Sequence, residues 1–295
     1  MVSKLKDPCI QISVVIPCFN HSKYVVECIK SVVNAFSGKL QIVFCDDSSS
    51  DDSYSVAYDL LKDITSQKDN VSYICLRNNT NIGVCTTLNR CLSYATGVYV
   101  YVIASDDFLL PRSLDNAYKK IESECVDAII HDCSVVDENS KTIYNSALFE
   151  FRNSSKPRLE SDQLVSEIVM NWTIPGPSLL LKKSVYDEIG LYDVNLLAED
   201  RDFYLRLLAF KKVRFSEQKI ACYRIHSSNA FTSTKFSTNI HKEQSGVNFK
   251  YRKHFSGILK IYLLSFGVDY KYGRSFLMSL IRKVFYYTIR ITKLS

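Results

Sequence analysis

Along the N-terminal part of the chain, short apolar runs alternate with longer stretches in which apolar side chains recur every third or fourth position. The runs "ISVVIPCFN", "LQIVFCDD", "VSYICLRN" and "VYVYVIASDDFLLP" are rich in β-branched and aromatic residues and carry little charge until they end. They read as buried strands. Between them, "SKYVVECIKSVVNAF" from a Ser22 cap, "YSVAYDLLKDI" and "GVCTTLNRCLSYA" read as amphipathic helices. Strand and helix in alternation predict right-handed βαβ units and an α/β fold with a mostly parallel sheet flanked by helices. Ligands bind beyond the carboxyl ends of the strands in such sheets. Asp46 with Asp47, and Asp106 with Asp107, stand at two such ends and are expected to face one crevice.

The second half is less regular. "VDAIIHDCSVVDE" and "SLLLKK" predict strands, and "KSVYDEIG" predicts a short helix stopped by Gly190. "AEDRDFYLRLLAF" predicts a helix with acids in its first turn, where the macrodipole favours them. "KVRFSEQKIACYRIH" gives one or two strands, and the pattern then loosens through a Ser/Thr/Asn-rich stretch, residues 227–239. The remainder predicts helices. One segment, "SFLMSLIRKVFYYTIRI", sets Phe276, Leu277, Leu280, Ile281, Val284 and Phe285 on one face.

Composition changes this picture in three places. The formal charge of +6 is uneven, because residues 241–295 hold 11 Lys and Arg against two acids, Glu243 and Asp269. The preceding residues, with 26 bases and 29 acids, are near neutral, so the expected division is a domain over residues 1–240 and a basic helical region over 241–295. The ten cysteines form no CxxC pair and no zinc-like cluster with histidine, and read as small buried hydrophobes of a reducing compartment. With no secretory signal pattern and no run of about 18 apolar residues, the expectation is a cytoplasmic chain without a membrane-spanning helix.

The nine glycines are isolated, so neither GxGxxG nor GxxxxGK occurs, and hydride transfer with a dinucleotide and P-loop chemistry are set aside. A phosphate-bearing ligand in this crevice must be met by side-chain cations or by a metal held on carboxylates. Asp106 and Asp107 suit that role, since Mg²⁺ or Mn²⁺ prefers oxygen ligands, although a solvated turn would carry the same residues. Two adjacent carboxylates at the lip of a core also need an opposite charge, hydrogen-bond donors or water.

In order, "SVVIPCFN", "IVFCDDSSSDDS", "RNNTNIGVCTTLNRCLSYATGVYVYVIASDDFLLP", "PGPSLLLKKSVYDEIGLYDVNLLAEDRDFYLRL" and "YRIHSSN" resemble the family 2 glycosyltransferases over roughly residues 10–230. The resemblance implies the GT-A (Rossmann-like) fold and sugar transfer from a nucleotide-diphosphate donor. It implies donor contacts at Pro17, Asn20, Asp46, Asp47, Asn81, Gly83, Arg90, Ser105 and Asp106, in a loop that also holds Asn89. It implies a metal on Asp106 and Asp107 with His226, whose residue type at this place in the family meets metal or phosphate. The usual first acid of the family's metal motif is replaced by Ala104, and the glycine that usually follows the first acid pair by Ser48. Asp200 is implied as general base with Glu199 beside it, a role that needs a carboxylate within hydrogen-bond reach of a sugar hydroxyl. "IPGPS", Ile174 to Ser178, resembles an acceptor-side loop, and Trp172 is expected in the core or under a sugar face.

The expected activity is inverting transfer to a hydroxyl, of the hexosyl or N-acetylhexosaminyl class, on a glycan or lipid-linked glycan of surface polysaccharide such as O-antigen or capsule. Nucleotidyl transfer and nucleotide-sugar binding without activity remain alternatives. The basic tail lacks any nucleic-acid recognition motif. Its Lys/Arg-rich amphipathic helix suits the anionic inner face of a membrane or, equally, packing on the domain.

Overall fold

The computed structural model describes residues 10–227 and 234–292. Cys9 and residues 228–233 of the Ser/Thr/Asn-rich stretch lie outside the described residues. The four apolar runs form β1 (Ile12–Cys18), β2 (Leu40–Asp46), β3 (Val71–Arg77) and β4 (Tyr99–Val102), connected by α1 (Val25–Ala35), α2 (Ser53–Gln67) and α3 (Val84–Tyr94). They pair in parallel in the order β3-β2-β1-β4. Helix α1 starts behind Tyr24 and not at a Ser22 cap: no side chain caps it, and the His21 carbonyl accepts from the Tyr24 and Val25 amides at 2.9 and 3.0 Å. Where β4 leaves Gly97, a Cβ would lie 2.4 Å from the Ser13 amide nitrogen, so only glycine lets the two backbones approach.

The run after Gly97 ends as a strand at Val102, earlier than the apolar pattern implies. The chain turns through both acids and re-forms as the two-residue strand β5 (Phe108–Leu109). There follow α4 (Ser113–Glu124), β6 (Ala128–Val136), β7 (Thr142–Tyr144), a π turn at Ala147–Phe151, α5 (Lys156–Leu159), α6 (Leu164–Met170) and a 3-10 turn at Gly176–Ser178. Then come β8 (Leu179–Lys182), α7 (Ser184–Ile189), α8 (Asp200–Phe210) and β9 (Val213–Arg224). The sheet continues past β4 as β8-β6-β9-β5, with β7 beside β6. β8 runs antiparallel to both β4 and β6, β6 and β9 are parallel, and β5 is antiparallel to β9. The sheet is thus mostly but not wholly parallel, as expected, with its parallel pairs in the N-terminal half and at β6/β9.

Alternation along the strands divides the core between the two faces of the sheet. Val14, Ile16, Ile42 and Phe44 point to one face and pack with α1, α2 and α4 through Cys28, Ile29, Leu61 and Ile121. Val15, Val43 and Val100 point to the other and meet α3, α6 and α8 through Leu88, Ile168, Phe203 and Leu207. Both sheet faces are covered, which is why β1 and β2 read as continuous apolar runs. Of the nine described cysteines all are free, eight are buried as expected, and Cys125 is exposed.

The C-terminal region forms α9 (Thr234–Tyr251), a 3-10 turn at Arg252–His254, α10 (Gly257–Leu264), α11 (Phe266–Tyr272) and α12 (Phe276–Thr292). α9 runs without interruption through the boundary expected at residue 240. Tyr262, Leu263, Tyr286 and Ile289 belong to the core under α8. The Tyr262 hydroxyl donates to the Met170 carbonyl at 2.7 Å and the Tyr286 hydroxyl to Glu167 Oε1 at 2.9 Å. The face named from the sequence of α12 does not enter that core: Phe276, Leu277, Leu280, Ile281 and Val284 are exposed, and only Phe285 turns inward.

Candidate active site

At the exit of β2, Asp46 and Asp47 are both buried and act differently. Asp47 is a clamp. Its Oδ1 accepts from Asn78 Nδ2 at 2.7 Å and the Ile82 amide at 2.9 Å, and its Oδ2 accepts from the Gly83 amide at 2.9 Å. Asn81 Oδ1 accepts from the same Gly83 amide at 3.2 Å, and Gly83 has φ 84°, which glycine adopts without steric cost. Arg90 reaches back from α3 to the Arg77 carbonyl at 3.0 Å and to Asn78 Oδ1, so it steadies the amide that holds Asp47. Asn89 instead ties α3 to Tyr192, donating to its carbonyl at 2.8 Å.

Asp46 Oδ2 accepts from the Ser49 amide at 3.0 Å and lies 3.3 Å from Arg77 Nε, while its Oδ1 is buried with no partner among the described residues. Among the described residues one carboxylate oxygen of this pair is thus left unsatisfied. Asn20 stitches the exit of β1 to the same turn, its Oδ1 accepting from the Ser50 amide at 2.8 Å. Pro17, half-buried, lies opposite Cys45 in the register. Ser48 has φ 63°, so the turn keeps the left-handed shape that glycine favours, at a cost of about 1 kcal/mol.

Beyond β4, Asp106 Oδ2 lies 2.8 Å from His226 Nε2, and Asp106 Oδ1 lies 3.8 Å from His21 Nδ1. Ser105 Oγ is 2.8 Å from the same His21 nitrogen. One ligand atom from each of His21, Asp106 and His226 lies within 4.8 Å of the others. Burial alone would raise the Asp106 pKa, but the His226 hydrogen bond and His21 outweigh it and hold the carboxylate below its usual range. Burial pushes His21 below the ordinary imidazole value. An ionised carboxylate and a neutral imidazole are the forms that bind a divalent cation, so this donor set could hold one, and its two imidazole nitrogens suit Mn²⁺ better than Mg²⁺, which prefers oxygen.

Asp107, expected as a metal ligand, is not in this group. Its Oδ1 accepts from the Arg224 amide at 2.8 Å, and burial together with the Asp106 charge pushes its carboxyl well up. The positive charge that the acid pair demands comes from buried Arg224, two residues before His226. Its Nε donates to the Asp106 carbonyl at 2.6 Å and its Nη2 to Glu27 Oε2 at 2.5 Å, and the guanidinium lies 4.8 Å from the Tyr24 ring and 5.3 Å from that of Phe108. His226 in turn lies 5.1 Å from the Tyr24 ring.

Glu199 and Asp200 open α8, half-buried. Burial, and then the charge of Asp200, push Glu199 up to about 7. Burial raises Asp200 as well, opposed by the Arg201 amide that donates to its Oδ1 at 2.6 Å and by Arg152 among nearby cations. Arg152 also faces Tyr223, whose phenol burial and Asp107 push up to about 12 with Asp106 adding to the shift. Exposed Arg152 is thus a nearby positive charge for both Asp200 and Tyr223. Arg201 points the other way, into the core, donating to the Ile168 and Val169 carbonyls and to Asn248, 5.1 Å from the Trp172 ring. Trp172 also packs edge-on against Tyr204, 5.1 Å away, which is the core role. The Ile174–Ser178 loop is tied to β4 by the Tyr101 hydroxyl, which donates to the Pro177 carbonyl at 2.6 Å.

His21, Arg224, Arg152 and Asn78 are the contributors that sequence reasoning missed. His21 follows a strand end, where the binding rule for such sheets points, and Arg224 lies inside a segment already singled out. Arg152 has no periodic or motif signal.

Residues 13–189 match the family model described as Glycosyl transferase family 2. Glycosyltransferase GlyG of Streptococcus pneumoniae serotype 4 is 21% identical over 224 residues, covering 74% of this chain and 72% of the relative. Chondroitin synthase of Escherichia coli is 31% identical over 119 residues, which is 39% of this chain and 16% of that one. S. aureus TarS 1-349, solved in complex with UDP-GlcNAc, shares the GT-A fold with a TM-score of 0.65 at 17% identity, over 92% of this chain and 75% of that one. A family model that runs from β1 to α7, across the strand ends that carry both acid pairs, leads to one conclusion: the chain belongs to glycosyl transferase family 2.

Proposed function

We propose that the chain is an inverting glycosyltransferase that moves a hexosyl or N-acetylhexosaminyl group from a nucleoside diphosphate sugar to a hydroxyl of a glycan, carried on lipid in surface-polysaccharide assembly. The observation that carries this reading is the pairing of a cation-binding group, His21–Asp106–His226, with a carboxyl pair of raised pKa at the start of α8. Asp200 takes the acceptor hydroxyl proton as that oxygen bonds to the anomeric carbon. The bond from this carbon to the donor phosphate oxygen breaks on the opposite face, releasing nucleoside diphosphate and inverting the centre. Glu199, near its own pKa at neutral pH, raises the proton affinity of Asp200 when ionised.

Asp106, His226 and His21 are the residues that would hold Mg²⁺ or Mn²⁺, and the ion, when bound, supplies positive charge to the leaving diphosphate. Asp107 and Arg224 hold the Asp106 segment in place. Asp46, with its open oxygen, and the loop clamped by Asp47 are the nucleoside side of the site, and Arg152 is a cation for phosphate or acceptor. A uridine nucleotide is the first donor to test, since the TarS relative was solved with UDP-GlcNAc. Asp200→Asn should lower turnover by about a thousandfold while leaving donor affinity within about twofold. Unchanged turnover in that variant removes Asp200 from the base role.

A further inference from the structure

We propose that α10–α12 form a surface that seats the protein on an anionic lipid bilayer. The proposal rests on these helices alone and stands whether or not the chain transfers sugar. On α12, Phe276, Leu277, Leu280, Ile281, Val284 and Tyr287 are exposed, with Phe276 84% and Leu277 60% accessible. At 3.6 residues per turn these positions occupy one stripe about 140° wide. On α10 and α11, Ile261 and Tyr272 are exposed as well, accessible to 61% and 75%. Isolated exposed apolar residues need no explanation, but a stripe of this length on one helix marks an interaction surface.

The stripe is held rigidly. The other side of α12 packs into the core through Tyr286 and Ile289, and Arg282 pairs with Asp269 and lies 4.1 Å from the Phe266 ring. Asp269 is the sole acid from residue 252 onward, and it is buried in that pair. Within α10–α12 and the turns between them the exposed ionisable residues, Lys260, Lys271, Arg274 and Lys283, are all basic. Among the described residues no helix is long and apolar enough to cross a membrane, so the stripe lies on a surface and does not span it.

Charge also selects the occupant. A two-fold contact between copies of this chain would bring the same basic rim against itself, which is repulsive. An anionic headgroup layer meets that rim with opposite charge while the acyl boundary takes the apolar stripe, each Lys or Arg near the surface adding to the attraction.

The test is flotation of the full chain with vesicles of phosphatidylcholine, with and without phosphatidylglycerol. Binding is expected only to the anionic vesicles, to weaken with added salt, and to drop about tenfold or more in Lys271→Glu/Lys283→Glu. Leu277→Ser/Val284→Ser changes exposed positions only, so it should keep its melting temperature and lose the vesicles. Failure of the wild-type chain to float with anionic vesicles, equal flotation of the serine variant, or a light-scattering dimer that this variant dissociates would each overturn the proposal.

Discussion

The Asp106–Asp107 pair is buried and the Glu199–Asp200 pair half-buried, and the two are treated in opposite ways. At the exit of β4 the pair is split: Asp106 is drawn below the usual range by His226 and His21, while Asp107 is pushed up and fixed by the Arg224 amide. At the start of α8 both Glu199 and Asp200 are raised, and the guanidinium of the adjacent Arg201 is spent on core carbonyls and Asn248. A carboxylate meant to carry charge toward a cation needs imidazoles beside it. One meant to accept a proton is better left with burial and a like-charged neighbour.

Four measurements bear on that comparison. The largest effect is expected from exchanging single oxygens: Asp106→Asn should abolish both Mn²⁺-dependent nucleotide binding and turnover, where Asp200→Asn spares binding. If both variants lose only turnover, the division of labour fails. Next, His21→Ala should weaken Mn²⁺ binding by about tenfold or more in calorimetry without nucleotide; unaltered Mn²⁺ affinity would remove His21 from the ligand set.

A smaller effect is expected from Glu199→Gln. Glu199 keeps its proton to about pH 7 in the folded chain but loses it near the ordinary carboxyl value when unfolded, so its presence costs stability as pH rises between the two and fully above them. The variant should melt a few degrees higher than the parent near pH 8 and alike near pH 5. A gain of the same size at both values would refute a raised pKa. The smallest is Ser48→Gly, which should add about 1 kcal/mol in urea unfolding by relieving the left-handed strain, with neither acid pair altered.

Much of the N-terminal half was legible, and the reason is burial on both sheet faces: strands such as "LQIVFCD", buried at every position, announce themselves as apolar runs. The placement of β8 between β4 and β6 was not legible, because "SLLLKK" looks the same whichever neighbours it takes and pairing over such separations leaves no local mark. In the site, Asp106, His226, Glu199 and Asp200 were named from motif order, and the fold sets Asp106 against His226 and puts Glu199 and Asp200 at the start of α8. Asp107 was assigned to the metal because adjacency in sequence suggested a shared task, whereas successive residues leaving a strand face different surroundings. His21 was passed over because a lone histidine before a helix has no pattern to distinguish it from a solvated one.

The edge of β4 carries a consequence for synthesis. Its outer side is closed by β8, whose residues emerge from the ribosome only after α4, β6, β7 and two further helices have been made. Until then a nascent chain displays an open apolar ladder with free amide and carbonyl groups, the kind of rim onto which a second nascent copy can add a strand. Chains cut short before Leu179 are therefore expected to precipitate or be captured by chaperones, even though the β3-β2-β1-β4 ladder is already complete in them.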